Sequence, residues 1–261
     1  MRVLITGTSH AATLRRAFPA LKAAHPGMTL EFWGLPGAAF QKASVGPDGV
    51  LRPDPADALG ARKAAEWNGA EAVDLAPYDR IFLVGLRYGL GTLFPALRDL
   101  HPVEWGRRKG ARPVALGLLR AAMEAETRAA VTAQAQRTPF DPRFVLMPAP
   151  YPAQEVTRSA SSHFEPLTRQ VAGLAEAGAL MAMFESALVA AHAAAGVTLV
   201  LQPRETLAAP FLTRDAFIDA AERDARHMNA DYGQIAFDAL MAATPIPKPG
   251  QGAVPATAPL T

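Results

Sequence analysis

The chain has 261 residues, half of them hydrophobic and 19% charged, with 26 Lys and Arg against 24 Asp and Glu for a formal net charge of +2. That length and apolar content suit one α/β domain with a sizeable core and exclude a disordered or fibrous chain. With no cysteine there is neither a disulfide framework nor a thiolate metal site, and the small basic excess forms no stripe, so no nucleic-acid partner is expected.

In chain order, short β-branched or aromatic runs alternate with alanine-rich stretches. A strand is expected at 2–6 (RVLIT), ending in Gly7, and then a helix over 10–24. A second strand at 29–34 (TLEFWG) leads to SVGPDGVLRPD at 44–54, where Asp48-Gly49 marks a small excursion hairpin. A strand at 80–85 (RIFLVG) precedes helices over 90–99 and 114–134, separated by the Pro- and Gly-punctuated loop 101–112. Next come a strand at 143–148, a loop at 149–164, a long helix over 166–195, a strand at 197–201 and a helix over 229–242. The two loops are expected to shape a rim or a contact between copies of a homo-oligomer. The alternation predicts a three-layer, doubly wound, flavodoxin-like parallel sheet of about five strands, each buried on both faces. Residues 1–243 form the expected domain, and the Pro- and Ala-rich stretch 244–261 is expected to be extended or disordered.

The N-terminal run lacks a signal-peptide core, and the apolar region 171–201 is interrupted by Glu176, Glu185 and His192. A cytoplasmic protein without a membrane span is the expectation.

Open parallel sheets bind ligands beyond the carboxyl ends of their strands. Ser9 follows the first strand, Gly37 the second and Gly85 the third, and Asp224 and His227 lie in the DARH segment after the fifth. All should gather at one edge. A serine there reads in two ways: as a helix cap, whose oxygen accepts a free backbone N–H, or as a nucleophile, which needs a base to take its proton. The distal Asp-x-x-His spacing favours the nucleophile. The other histidines read as structural or exposed, except His10, which adjoins Ser9 and is expected to line the pocket with Gly85 and Tyr88.

Together, Gly7-Thr8-Ser9 after the first strand and Asp224-Ala225-Arg226-His227 before the last helix resemble the SGNH (GDSL-like) hydrolase superfamily. The likeness extends over residues 2–243 in strand order and block position, and its specific letters are few. It implies acyl transfer, most simply ester hydrolysis, with Ser9 as nucleophile, His227 as general base and Asp224 orienting the ring. The family's oxyanion donors imply the Ser9 N–H, the Gly37 N–H and a third group at position 87. There the chain departs: the family has asparagine, and this sequence reads Gly85-Leu86-Arg87-Tyr88. Its two asparagines, Asn68 and Asn229, do not align there. Arg87 is therefore expected to donate to the oxyanion, to bind an anionic substrate group, or to stand as a solvated rim residue. No metal or cofactor is implied, and the substrate class is a small-molecule or carbohydrate ester.

Two other readings compete with this one. A dinucleotide-dependent oxidoreductase fails because no further glycine follows Gly7 before the helix. A catalytically weakened module that binds a glycan or acyl group, or an O-acyltransferase, is the alternative that Arg87 supports.

Overall fold

A computed structural model describes residues 1–155, 164–219 and 225–243. Its centre is a five-stranded sheet of β1 (Arg2–Gly7), β2 (Thr29–Gly34), β3 (Arg80–Leu86), β4 (Phe144–Pro148) and β5 (Thr198–Leu199). The spatial order is β5-β4-β3-β1-β2 and every pairing is parallel, the doubly wound order expected from the sequence.

Alternation along the strands divides the core into two layers. Val3, Ile5, Phe82, Val84, Val145 and Met147 face one side, which is covered by α1 (Ala12–Arg16), α2 (Phe18–Ala24) and the last helix, Ala230–Ala242. Leu4, Ile81, Leu83, Phe144 and Leu146 face the other. On that side lie α3 (Gly37–Phe40), α4 (Ala58–Asn68), α5 (Leu90–Asp99), α6 (Leu116–Arg137), α7 (Phe164–Ala172) and α8 (Ala177–Ala194). The last helix is α9. Each large side chain buried this way stabilises the fold by about 1.5–3 kcal/mol, so strands this short hold on packing more than on propensity.

Several boundaries differ from expectation for identifiable reasons. The helix expected over 10–24 divides at Ala17, because Pro19 has no N–H and its ring would meet the carbonyl of Arg15 in a continuous helix. Pro19 instead sits in the first turn of α2, where its missing donor costs nothing. The helix expected over 166–195 breaks into α7 and α8 around Gly173. Helix α4 is an unexpected element. Its signals are present, since Asp57 accepts the Gly60 N–H at 2.9 Å and Gly69 closes it at φ +71°.

The excursion at 44–54 is a hairpin, Ser44–Val45 against Val50–Arg52, extended by Val73–Asp74. The loop at 101–112 is bounded by two short parallel segments, Leu100–Pro102 and Arg112–Val114. Helix α8 is long and apolar enough to cross a membrane by composition, yet its Leu180, Phe184, Leu188 and Ala191 are packed into the core. Part of the loop at 149–164 and the stretch 244–261 lie outside the described residues.

Candidate active site

The first strand delivers Ser9 through a tight turn that only glycine permits. Gly7 has φ +144°, and a Cβ on it would sit 1.9 Å from the Val84 carbonyl oxygen of the neighbouring strand. Thr8 comes next, its N–H donating to the Val84 carbonyl at 3.1 Å and its hydroxyl to the Gly85 carbonyl at 2.9 Å. Thr8 also caps the short 3₁₀ turn Ser9–Ala11 by accepting the His10 N–H at 3.4 Å. The cap is thus Thr8, and the Ser9 hydroxyl has another partner.

That partner is His227. Its Nε2 lies 3.1 Å from Ser9 Oγ across a sequence separation of 218 residues. For Nε2 to accept the hydroxyl proton, the neutral ring must carry its own proton on Nδ1. The backbone around His227 is fixed on several sides. The Ala225 carbonyl accepts the Ala153 N–H at 2.7 Å, and the His227 carbonyl accepts the Asp219 N–H at 2.9 Å. The Met228 carbonyl accepts the Thr13 hydroxyl at 3.2 Å. Asn229 then caps α9 by accepting the Tyr232 N–H at 3.1 Å. Asp224 lies outside the described residues.

His10 is buried, with its ring centroid 5.3 Å from that of His227. Burial above all holds its pKa well below the usual 6.5, and the nearby charge of Arg87 adds to this. His10 is therefore a neutral ring under the site. Gly85, with φ +101°, lies directly against it: a Cβ there would be 2.2 Å from the Thr8 hydroxyl and 2.9 Å from the His10 Cβ.

Ser9 and His227 line a concavity of about 570 Å³ together with Ala12, Arg15, Arg16, Phe32, Glu66 and Trp67. The Arg15 guanidinium stacks 5.1 Å above the Phe32 ring and donates to the Trp67 carbonyl at 2.9 Å. Arg16 is ion-paired with Asp219 at 2.8 Å. The sequence alone does not single out this aromatic and charged wall, part of which comes from the unexpected helix α4. That helix also supplies Asn68, whose amide accepts the Gly34 N–H at 2.9 Å and donates to the Gly34 carbonyl at 3.0 Å.

Gly37 opens α3, with free space where a side chain would stand. The turn before it is tied to the first block by the Leu35 N–H donating to the Gly7 carbonyl at 3.0 Å. Arg87 and Tyr88 line a concavity with Gln41, Gly89, Gln134 and Arg137, and Arg87 also borders a small enclosed cavity with Tyr151, Glu185 and Gln202. Neither concavity includes Ser9. Tyr88 has φ +44°, and with Gly89 it reverses the chain into α5. Its ring meets His192 edge-on at 4.6 Å, and its buried hydroxyl has no hydrogen-bond partner among the described residues. Also among the described residues, no cluster of His, Asp and Glu could hold a metal ion.

No family model matches the chain, and no curated protein sequence matches it. Three solved structures resemble its fold. An α/β hydrolase from the metagenome of Lake Arreo, Spain, is 14% identical over 93% of this chain and 94% of its own, with a TM-score of 0.39. A candidate acylhydrolase from Bacteroides fragilis is 10% identical over 93% and 86%, at 0.41. A variant of an acetyl xylan esterase from Geobacillus stearothermophilus is 12% identical over 94% of both chains, at 0.39. Likenesses this distant bear on neither reaction nor substrate.

Proposed function

We propose that the chain is a serine ester hydrolase acting on a small or carbohydrate-linked acyl ester. One observation carries the reading: a serine hydroxyl and an imidazole from opposite ends of the sequence meet at 3.1 Å on the rim of a concavity large enough for a ligand. Ser9 attacks the acyl carbon as His227 takes its proton, and the protonated ring then returns that proton to the leaving alcohol. Water, activated by the same ring, hydrolyses the acyl-enzyme. Asp224 is assigned to hold the Nδ1 proton, and the Ser9 N–H, Gly37 N–H and Arg87 guanidinium to stabilise the oxyanion. A pocket with Phe32 and Trp67 flanked by Arg15 and Glu66 suits an alcohol that presents both an apolar face and hydroxyls.

Arg87 in the place of an asparagine favours a second reading, a module that holds an acylated ligand or passes the acyl group to a sugar. Fluorophosphonate labelling with aryl-ester turnover distinguishes these. Wild type should label and hydrolyse. Ser9→Ala should lose the label and about 10⁴-fold or more of the rate, as loss of a triad nucleophile does. Labelling that persists in Ser9→Ala would overturn the assignment, and a wild type that neither labels nor hydrolyses would leave the binding module.

A further inference from the structure

Helix α5 starts at the carboxyl edge of the sheet beside Arg87 and continues for ten residues, about 15 Å. The chain beyond its C-terminus leads to the start of α6, where Glu104 accepts the Leu116 N–H. Between the two helices the segments Leu100–Pro102 and Arg112–Val114 pair, and the residues between them enclose a concavity of about 770 Å³. Its lining includes His101, Val103, Arg107, Arg108, Lys109 and Pro113.

Charge is concentrated here. Four basic residues fall within 107–112, while the whole chain carries a net +2. Two acids stand nearby: Asp99 pairs with Arg98 at 2.7 Å and also lies within the field of Arg112 and Arg108, and Glu104 accepts the Leu116 N–H at 2.9 Å. The Arg108 guanidinium anchors the loop by donating to the Arg98 carbonyl at 2.6 Å and the Leu100 carbonyl at 2.8 Å. Arg107 and Lys109 are exposed and have no hydrogen bond or ion pair among the described residues. His101 is the second, independent sign. Its side chain is only 4% exposed, it lines the concavity, and its ring has an aromatic neighbour in Trp105 but no hydrogen-bond partner among the described residues. With no hydrogen-bond partner for its ring among the described residues and a place in the wall of the concavity, His101 can offer an N–H to a ligand bound there.

We propose that this concavity is a binding site for a phosphate-bearing ligand. One carboxylate is satisfied by one guanidinium. Two guanidinium groups, an ammonium and an imidazole within nine residues match a dianion or trianion with several oxygens. The volume suits an organic phosphate, and the compact cluster does not form the extended stripe that tracks a nucleic-acid backbone. The phosphate is carried either by a soluble molecule or by a lipid headgroup.

Calorimetric titration with pyrophosphate, and co-sedimentation with phosphatidylcholine vesicles with and without phosphatidic acid, test the site on the full chain. The exposed double variant Arg107→Ala/Lys109→Ala should weaken binding roughly tenfold or more, as loss of charge-assisted hydrogen bonds implies, and leave ester turnover unchanged. His101→Gln, which keeps a donor, should retain more affinity than His101→Ala. Pyrophosphate binding lost in the double variant assigns a soluble phosphate. Binding only to phosphatidic acid vesicles, lost in the same variant, assigns a lipid headgroup. Binding to neither probe, or binding the double variant matches, overturns the proposal.

Discussion

Thr8 accepts the His10 N–H while Ser9 keeps its hydroxyl against His227, so two adjacent residues divide capping from the contact with the imidazole. The arrangement depends on Gly85, against which Thr8 and His10 lie. Gly85→Ala should destabilise the protein by about 2–5 kcal/mol, from roughly 1–2 for the left-handed backbone and 1–3 for the overlap with Thr8. Urea unfolding measures this, with Gly27→Ala as control, because Gly27 faces open space without a positive φ and should shift by only about 0.5 kcal/mol or less. Arg87 separates by substrate. If its guanidinium serves the oxyanion, Arg87→Ala slows a neutral aryl ester about 100-fold or more. A loss confined to anionic esters assigns it to recognising substrate charge, and no loss with any ester removes it from the site.

At the scale of elements, α4 fastens the end of β2 through a single side chain. Asn68 meets both the N–H and the carbonyl of Gly34, so Asn68→Ala strands two part-buried backbone groups. The expected loss is about 2–4 kcal/mol, given roughly 1–3 for each unsatisfied group and partial rescue by water. An unchanged urea midpoint would show that the β2 end is held by its sheet pairing alone. Asn68 also shows where reading the sequence stops. The five strands were legible because each is an apolar run between turn signals, and Ser9 and His227 because both sit in blocks with defined spacing. Nothing local to Asn68 indicates a partner 34 residues away, and the side chains of Phe32 and Trp67 share a wall only once β2 and α4 have packed. The serine cap was ambiguous for a related reason: Thr8 and Ser9 carry the same functional group, and only the fold decides which hydroxyl turns inward.

For the whole molecule, two buried imidazoles set the acid response. Burial lowers the pKa of both His10 and His192 from 6.5, so each is neutral in the folded state and readily protonated in the unfolded one. The unfolded chain then binds more protons below about pH 6.5, and stability falls as pH drops from there toward the folded values. Urea midpoints should decline between about pH 7.5 and 5.5, a window above that of ordinary carboxylates. The double variant His10→Gln/His192→Gln should flatten the decline; an equal slope in the variant would place the loss on other groups.

The 218 residues between Ser9 and His227 have a consequence in time as well as in space. On the ribosome the serine emerges with the first strand, and 218 residues separate it from the imidazole it will meet. Contacts this distant in sequence are the slowest for a chain to close. A polypeptide that stops short of His227 and α9 would lack both the imidazole and part of the cover over one face of the sheet. If Ser9 is the proposed nucleophile, its labelling would begin only once that segment docks, which makes it a clock for that step of folding.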